Sequence, residues 1–411
     1  MTTMTQTRPN PMRWWDYLTL NAYWFAISFM WNSMAPLLLP TLVQNLVPES
    51  QKGGALGMLS AIGLIIATIV QPIAGAWSDT RTTPLGKRRP YIIGGTLFDV
   101  VFLVLMVFSG NYVLLVLAYA LLQVTSNIAH GPYQAYIPEL VPEAKRGMVT
   151  GVKQFLEILG IIVTSLVVGK LIDQEQIVLA FALIVFFLLF TMAITALFVK
   201  EKPFDGATPA RQTVAPKTSL WQTLFHSRDF FLWLVSRLAI LVGINLVRNY
   251  ILYFLRDVLR LPNAATEAGN LLAILGIAVA LVVLPAGALS DRFGRKTLIV
   301  ISGILGIAGA LLMMTASTLS AVFVAGTLVG VGIGIFLTVN WAWGADLIPG
   351  DASGRFLGIS NIATAGAGVI AGIGGNLIDN PSLGYNALYL SAAICYAVGT
   401  LIVLAVKDMK R

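Results

Sequence analysis

Twelve long apolar runs divide the sequence and leave little room for any other architecture. They cover residues 17–40, 53–78, 91–109, 112–138, 147–171, 177–199, 229–255, 264–290, 297–317, 319–346, 354–378 and 385–406. Each run has at least 19 residues, and about 20 helical residues cross the hydrocarbon core of a bilayer. Because 57% of the residues are hydrophobic and only 11% are charged, too little polar surface remains to cover soluble domains. The runs therefore predict an all-α membrane protein with twelve transmembrane helices.

One long polar stretch separates the twelve runs into two sets of six. Residues 200–228 carry Pro203, Pro209 and Pro216 among mixed charges, and this composition is typical of a linker. The sequence therefore predicts three parts: an N-terminal six-helix half over residues 1–199, a cytoplasmic linker over 200–228 and a C-terminal six-helix half over 229–411.

The basic residues indicate how the chain is oriented in the membrane. With both termini in the cytoplasm, about 20 Lys and Arg residues fall in cytoplasmic segments, and four lie near the opposite face: Lys52, Lys170, Arg256 and Arg260. Cytoplasmic loops carry an excess of Lys and Arg. We therefore expect a multi-pass protein of the cytoplasmic (inner) membrane with both termini inside. Because the basic residues lie in short loops, the net charge of +8 does not indicate nucleic-acid binding.

Three motifs occur once in each half. The segment Gly75-Ala-Trp-Ser-Asp79, followed by Gly86-Lys-Arg-Arg-Pro90, corresponds to Gly287-Ala-Leu-Ser-Asp-Arg-Phe-Gly-Arg-Lys296. The other two pairs are Leu140-Val-Pro142 with Leu347-Ile-Pro349, and Gly169-Lys-Leu-Ile-Asp173 with Gly375-Asn-Leu-Ile-Asp379. Because each half has an even number of spans, duplication gives parallel repeats about an axis along the membrane normal, with a solute site between them near the midplane.

These motifs carry a family resemblance. Gly287-x-x-x-Asp291-Arg292-x-Gly294-Arg295-Lys296 resembles the loop motif of the major facilitator superfamily. Gly86-Lys87-Arg88-Arg89-Pro90 is similar to the loop of the sucrose transporters and of the glycoside-pentoside-hexuronide cation symporters. Asn127-x-x-x-Gly131-Pro132 resembles the fourth helix of the sucrose transporter group. The resemblance implies the major facilitator fold and secondary transport of a sugar with a coupling proton or sodium ion.

The two aspartates of the loop motifs are candidate gating residues. Asp79 and Asp291 each end a helix, where a carboxylate can accept hydrogen bonds from the free N-terminal amides of another helix. Repeat symmetry pairs Asp291 with the start of the fifth span at Arg146, and Asp79 with the start of the eleventh at Arg355. The alternative is that these charges only set topology and cap local helices. The expected gating set is Asp79, Arg88, Arg146, Asp291, Arg292, Arg295 and Arg355.

Ionisable residues inside the apolar runs are candidates for cation coupling, because charge is costly in a membrane. Lys153 and Glu157 are four residues apart, so they can pair on one helical face. Glu157 either couples transport to a proton or cation, or only completes this structural pair. Asp99 either binds a cation or pairs with a neighbouring helix. His130 can relay a proton, or it serves as a hydrogen-bonded packing residue.

Polar side chains at helical spacing predict the substrate site. Amides and hydroxyls can bond sugar hydroxyls, and aromatic rings can stack on sugar C–H faces. Helix packing through interhelical hydrogen bonds is the alternative for any single amide. The candidate residues lie in the first, fourth, seventh and tenth runs: Asn32, Gln123, Asn127, Gln134, Asn245, Arg248, Asn249 and Trp341. Arg237 belongs to the same polar stripe as Arg248.

The fourth run departs from the sucrose transporters at two positions. Aligned on Gly131-Pro132, the acidic and basic residues that those proton symporters use fall at Gln123 and Gln134. Neither glutamine carries charge, so Asp99, Glu157 or His130 would have to replace the carboxylate, or transport would be uncoupled.

The sequence predicts a transporter and no enzyme. It contains no nucleotide-binding loop and no His-Glu-x-x-His site, and its single Cys395 excludes a disulfide framework. We therefore expect no cofactor and no metal. The predicted function is cation-coupled transport of a small polar solute, a sugar or glycoside, by alternating access. The alternatives are a proton-driven exporter of drugs or amphipathic metabolites, and a non-transporting membrane assembly or pigment-delivery factor on the same scaffold.

Overall fold

The computed structural model describes residues 13–80, 83–201, 228–347 and 353–406, and these residues form a bundle of long helices. We number the long helices in chain order as α1 (Trp14–Leu46), α2 (Lys52–Thr80), α3 (Arg89–Val107), α4 (Tyr112–Gln134), α5 (Glu143–Asp173), α6 (Ile177–Phe198), α7 (Arg228–Asn249), α8 (Ala264–Phe293), α9 (Arg295–Thr315), α10 (Leu319–Asp346), α11 (Ser353–Ile373) and α12 (Gly384–Ala405). Most of the predicted linker lies in 202–227, outside the described residues.

The helices confirm the predicted fold class. Within the described ranges, eleven helices are long and apolar enough to cross a membrane, and α11, with 21 residues, supplies the twelfth. Three predicted spans divide into a long and a short helix. The short helices that complete the fourth, seventh and eleventh spans are Tyr136–Leu140, Ile251–Asp257 and Gly375–Asp379.

The first helix is longer than its apolar run and contains a local irregularity. It extends over 33 residues because Met34–Leu38 form a π-helical segment that continues directly into Leu39–Leu46. Pro36 lies in this segment and has no N–H to donate, so the regular hydrogen-bond ladder cannot pass through it. Such segments are frequent at functional sites, and Asn32 precedes this one by two residues.

The helices pack in the same pattern in each half. In the N-terminal half α1 packs on α5 and α6, α4 on α2 and α3, and α3 on α6. In the C-terminal half α7 packs on α11 and α12, α10 on α8 and α9, and α9 on α12. Two packings join the halves, α2 with α11 and α5 with α8. This arrangement is the one that two parallel repeats produce.

The bundle has two distinct ends, because successive long helices alternate in direction. We call the end where α1 begins and α12 ends the terminal end, and the opposite end, where α2 and α8 begin, the far end. Between α2 and α11 the backbones nearly touch at the far end: a Cβ added to Gly57 would lie 1.9 Å from the carbonyl oxygen of Gly372. Between α5 and α8, a Cβ on Gly169 would lie 2.3 Å from the Ala265 carbonyl oxygen.

The contact between the halves loosens toward the terminal end. A Cβ on Gly276 of α8 would lie 3.5 Å from Ile161. A Cβ added to Gly75 of α2, or to Gly147 or Gly151 of α5, would have no neighbouring atom within 4 Å. The halves therefore converge at the far end and diverge at the terminal end.

Candidate functional site

A hydrogen bond at mid-height joins the two halves at residues predicted to bind substrate. Arg248 Nη2 on α7 donates to Asn32 Oδ1 on α1 over 2.7 Å. Asn32 is held by its own helix, since its Nδ2 donates to the Ser28 carbonyl oxygen over 2.8 Å. Neither Arg237 nor Arg248 takes part in an ion pair with the described carboxylates, so the Arg248 cation faces a neutral amide.

The N-terminal half presents a paired charge next to this contact. Lys153 Nζ lies 3.0 Å from Glu157 Oε1 on α5, and the two side chains are 23% and 22% exposed. The ammonium group also lies 4.0 Å from the centre of the Trp24 ring, a cation–π distance. Ser28 Oγ donates to the Glu157 carbonyl oxygen over 2.7 Å. Because Trp24, Ser28 and Asn32 recur every four residues, one face of α1 connects this pair to Arg248.

His130 lies at the edge of the same cluster. Its ring packs edge-on against Trp24, with ring centres 5.0 Å apart. Its Nε2 lies 3.0 Å from Gln134 Nε2, and its Nδ1 lies 3.4 Å from Gln71 Nε2 on α2. The structure therefore brings the predicted residues Asn32, Gln134, His130, Glu157 and Arg248 into one connected region.

Other predicted binding residues bond within their own helices. Gln123 Nε2 donates to the Tyr119 hydroxyl over 2.8 Å, and Asn127 Nδ2 donates to the Gln123 carbonyl oxygen over 2.7 Å. Both amides are buried. Asn245 Nδ2 donates to the Leu241 carbonyl oxygen over 2.8 Å, and Asn249 is the last residue of α7.

Asp99 lies apart from this region. Its side chain is 1% exposed on α3, and Thr125 Oγ1 on α4 donates to it over 2.5 Å. Nearby, the Tyr23 hydroxyl bonds Thr96 Oγ1 over 2.6 Å. Asp99 therefore lies inside the N-terminal half among α1, α3 and α4, not beside Arg248.

The C-terminal half contains a second arginine environment. Arg237 on α7 donates from Nη1 to Asn340 Oδ1 on α10 over 2.5 Å and from Nη2 to Thr364 Oγ1 on α11 over 3.2 Å. The ring of Trp341, a predicted binding residue, is centred 5.0 Å from the guanidinium carbon and is 39% exposed. Sequence reasoning missed Asn340, although it is the only amide in α10.

Two aspartates that were not selected from the sequence seal the far end. Asp173, at the end of α5, accepts from the N–H of Ala265 over 3.1 Å and of Thr266 over 2.7 Å, at the start of α8. Asp379 accepts from the N–H of Gly53 over 2.8 Å and of Gly54 over 2.6 Å, at the start of α2. The Gly-x-Leu-Ile-Asp motif that ends in each of these aspartates is repeated in the two halves, and this repetition could have identified them from the sequence.

Further polar contacts reinforce the far end. Lys52 Nζ bonds Asp257 over 2.6 Å, and Tyr253 donates to the Pro40 carbonyl oxygen over 2.9 Å. Arg256 also donates to Gln44 across the halves. The inter-half hydrogen bonds whose partners are both described therefore lie at mid-height or at the far end.

At the terminal end, the first loop motif is bound within its own half. Arg88 is buried and donates to Asp79 and Glu139, and Lys87 Nζ lies 3.1 Å from Asp79. Burial lowers the pKa of the Arg88 guanidinium, but the carboxylates of Glu139 and Asp79 raise it more, so its pKa lies above its ordinary value. Glu201 accepts from the backbone N–H groups of the same loop.

The described contacts of the predicted gating residues lie within their own halves. Asp79 binds the basic residues of its own loop, and Arg146 donates to the Val141 and Pro138 carbonyl oxygens over 3.2 and 2.9 Å. Asp291 is exposed, Arg292 stacks on Phe293 at 5.4 Å, and Arg295 begins α9. The side chain of Arg355 lies outside the described residues. Carboxylates do cap helices across the halves, but at the far end. The gating set stays a prediction.

Among the described residues, no group of three or more His, Cys, Asp or Glu side chains could hold a metal ion. The geometry offers hydrogen-bonding amides, guanidinium groups and aromatic faces between two halves, which suits binding of a solute.

Comparison with known proteins agrees with this architecture. Residues 52–378 match the family described as MFS/sugar transport protein. The class C tetracycline resistance protein of Escherichia coli is 32% identical over 162 residues, 39% of this chain and 40% of that protein. A sucrose transport protein of Arabidopsis thaliana is 26% identical over 192 residues, 38% of this chain and 32% of that protein. The matched segments thus span less than half of either relative.

The fold also matches solved structures. The crystal structure of a D-xylose-proton symporter superposes with a TM-score of 0.75 at 18% sequence identity, covering 96% of this chain and 98% of that chain. This likeness shows that the architecture is shared.

Proposed function

The chain belongs to the MFS/sugar transport protein family of membrane transporters, and we propose that it carries a sugar or glycoside by alternating access of its two halves. The site lies at mid-height between the halves, around Arg248, Asn32 and Trp24. A sucrose transport protein among the sequence relatives supports a sugar as solute.

The hydrogen bond between Arg248 and Asn32 carries this proposal. It joins α1 and α7, the equivalent first helices of the two repeats, through polar side chains. A guanidinium and an amide can each bond sugar hydroxyls. A solute that replaces the mutual bond would contact both halves at once, which is what alternating access requires.

The terminal end is proposed to be cytoplasmic, following the distribution of basic residues. The conformation would then be open toward the cytoplasm and closed outside. Asp79 and Asp291 would close the terminal end in the opposite conformation.

A proton or sodium ion is proposed to drive transport through Glu157. This carboxylate is partly exposed beside Lys153 and Trp24, so it can exchange a cation with the solute pathway. Asp99 is enclosed in its own half, and His130 bonds neighbouring amides. The proposal therefore assigns coupling to Glu157 in preference to the other two.

Uptake into proteoliposomes tests the proposed function. The purified protein should accumulate a labelled sugar from a panel of neutral and acidic mono- and disaccharides when an inward proton or sodium gradient is applied. The Arg248→Gln variant should lose at least about tenfold of this uptake, equivalent to about 1.4 kcal/mol of binding. Arg260→Gln, which removes an exposed arginine at the far end, should transport normally. No uptake of any sugar under either gradient would refute the proposal.

A proton-driven exporter is the second candidate, and the tetracycline resistance relative favours it. The exposed Trp341 ring would equally suit an amphipathic aromatic solute. Extrusion of a fluorescent dye from loaded proteoliposomes, dependent on a proton gradient and absent in Arg248→Gln, would select this function over sugar uptake.

A further inference from the structure

Arg237 is a buried cation with no anionic partner among the described residues. Its side chain is 3% exposed, and its described partners are the neutral oxygens of Asn340 and Thr364. Aromatic rings flank it, with the guanidinium carbon 5.8 Å from the Trp233 ring centre and 5.0 Å from that of Trp341. A guanidinium in low-dielectric surroundings is costly unless an anion compensates its charge.

The surrounding side chains add further donors and few acceptors. Ten buried side-chain atoms in the described part of the chain have no hydrogen-bond partner, and these include Arg237 Nε, Trp233 Nε1, Trp343 Nε1 and Ser360 Oγ. The two indoles and the remaining guanidinium nitrogen can only donate. Such unpaired buried donors are rare in native proteins and call for an explanation.

The residues that carry these groups lie at similar heights along three helices of the C-terminal half. Trp233 lies one turn before Arg237 on the same face of α7, and Ser360 lies one turn before Thr364 on the same face of α11. Trp343 lies three residues after Asn340 on α10. Because α7 and α11 run away from the terminal end and α10 runs toward it, all three unpaired groups lie one turn closer to the terminal end than Arg237 and its partners. Trp341 and Thr364, which contact Arg237, are exposed.

We propose that Arg237, with Trp233, Trp343, Ser360 and Thr364, forms an anion-binding subsite, and that the transported solute carries a carboxylate or phosphate that binds there. A carboxylate or phosphate group carries negative charge, and its oxygens accept several hydrogen bonds. It would therefore neutralise the Arg237 guanidinium and also pair with the unpaired donors. The assignment of the anion to the solute rests on the proposed transport function.

The position of the subsite relative to Arg248 indicates how the solute would be oriented. Arg237 and Arg248 are eleven residues apart, which is about three turns and about 16 Å along α7. They therefore share one face of the helix. A solute whose anionic group binds at Arg237 would present its hydroxyl groups along this face, on the side of Arg248 and Asn32.

Binding to the detergent-solubilised full-length protein tests the subsite directly. Three probes are sugars: D-galactose, D-galacturonate and D-galactose 6-phosphate. The fourth probe is inorganic phosphate, a free anion. The two acidic sugars should raise the thermal midpoint of the wild type, and galactose should raise it less at equal concentration. Arg237→Gln should weaken the acidic-sugar effect at least tenfold. The control Arg260→Gln, an exposed arginine at the far end, should bind as the wild type does.

The comparison of acidic sugars with galactose on the wild-type protein tests the subsite even if Arg237→Gln does not fold, because it needs no variant. Thr364→Val offers a second, milder change, since it removes only one exposed partner of the guanidinium. It should weaken acidic-sugar binding and leave galactose binding unchanged. Inorganic phosphate that binds in an Arg237-dependent manner, with no effect of the acidic sugars, would assign the subsite to a free anion. Equal stabilisation by galactose and by both acidic sugars would overturn the proposal.

Flux through proteoliposomes separates this proposal from the proposed function. If sugars are transported and Arg237→Gln does not reduce the flux of the acidic sugars, the sugar transporter stands and the anion subsite falls. If no sugar of either kind is transported while the acidic probes still bind through Arg237, the subsite stands and the proposed function falls.

Discussion

Three settings of buried or partly buried charge bear on transport. Arg88 is neutralised by two carboxylates at the terminal end. Lys153 and Glu157 neutralise each other on one helix. Arg237 and Arg248 face only neutral oxygens among the described residues. Because an uncompensated charge is costly in a membrane, a bound ligand would stabilise the protein most at the two arginines. The Lys153–Glu157 pair is where a titrating group can exchange a cation.

Replacing Glu157 by Gln should separate coupling from solute binding. Glutamine keeps the size of the side chain but cannot bind a proton or cation in place of the carboxylate. We expect accumulation driven by a gradient to be lost, while exchange of labelled for unlabelled solute at equal concentrations stays within about threefold of the wild type, a difference of about 0.7 kcal/mol. Both rates are measurable in the same proteoliposomes.

Asp99→Asn is the matched control for Glu157→Gln. It removes a buried carboxylate of the same half that lies away from Arg248. Gradient-driven accumulation should persist in this variant. If Asp99→Asn abolished accumulation and Glu157→Gln did not, coupling would belong to Asp99, the alternative that the sequence left open.

At the scale of elements, the far end is closed by helix termini and close backbone contacts. Each of two carboxylates accepts two backbone N–H groups at the start of a helix in the other half. A carboxylate there satisfies amides that the helix cannot bond itself, and it also interacts favourably with the helix dipole. The two caps are therefore equivalent parts of one seal.

The double variant Asp173→Asn/Asp379→Asn should open the far end more often. With about 1 kcal/mol lost per cap, the equilibrium between the closed and open far end should shift about 30-fold. Opening can be followed with a single cysteine, Ser165→Cys in a Cys395→Ser background, because Ser165 is buried between α5 and α8. A membrane-impermeant thiol reagent should label this cysteine at least tenfold faster from the far end.

Glu175→Gln controls for the loss of charge in this experiment. It removes an exposed acidic residue just after α5, at the same end as Asp173, and should leave the labelling rate unchanged. Equal labelling in the double variant and the wild type would show that the two caps do not hold the far end closed.

At the scale of the whole molecule, hydrophobic runs were sufficient to predict the helices, because a bilayer accepts few other structures. The α8 and α10 runs, for example, begin at the residues expected from sequence. The sites were less predictable. Arg248 and Asn32 could be selected as polar residues in apolar helices, but their contact depends on how two distant helices cross. Asp173 and Asp379 resembled ordinary helix ends until the partner helices were known.

The two-end arrangement leads to a prediction about motion. If the halves move as rigid bodies about the mid-height site, closing the terminal end must open the far end. Spin labels at Met148 and Leu289, both exposed near the terminal ends of α5 and α8, should approach each other when saturating solute is added. Labels at Gln174 and Asn263, at the far ends of the same two helices, should move apart.

A pair within one half distinguishes rigid-body motion from bending of a helix. Labels at Met148 and Gln174 both lie on or next to α5, so their separation should stay constant while the two inter-half distances change in opposite directions. In the closed terminal end Asp291 is expected to reach the start of α5, and Asp291→Asn should therefore reduce the population with the short Met148–Leu289 distance. Inter-half distances that change in the same direction would indicate that the whole bundle loosens, and would contradict alternating access.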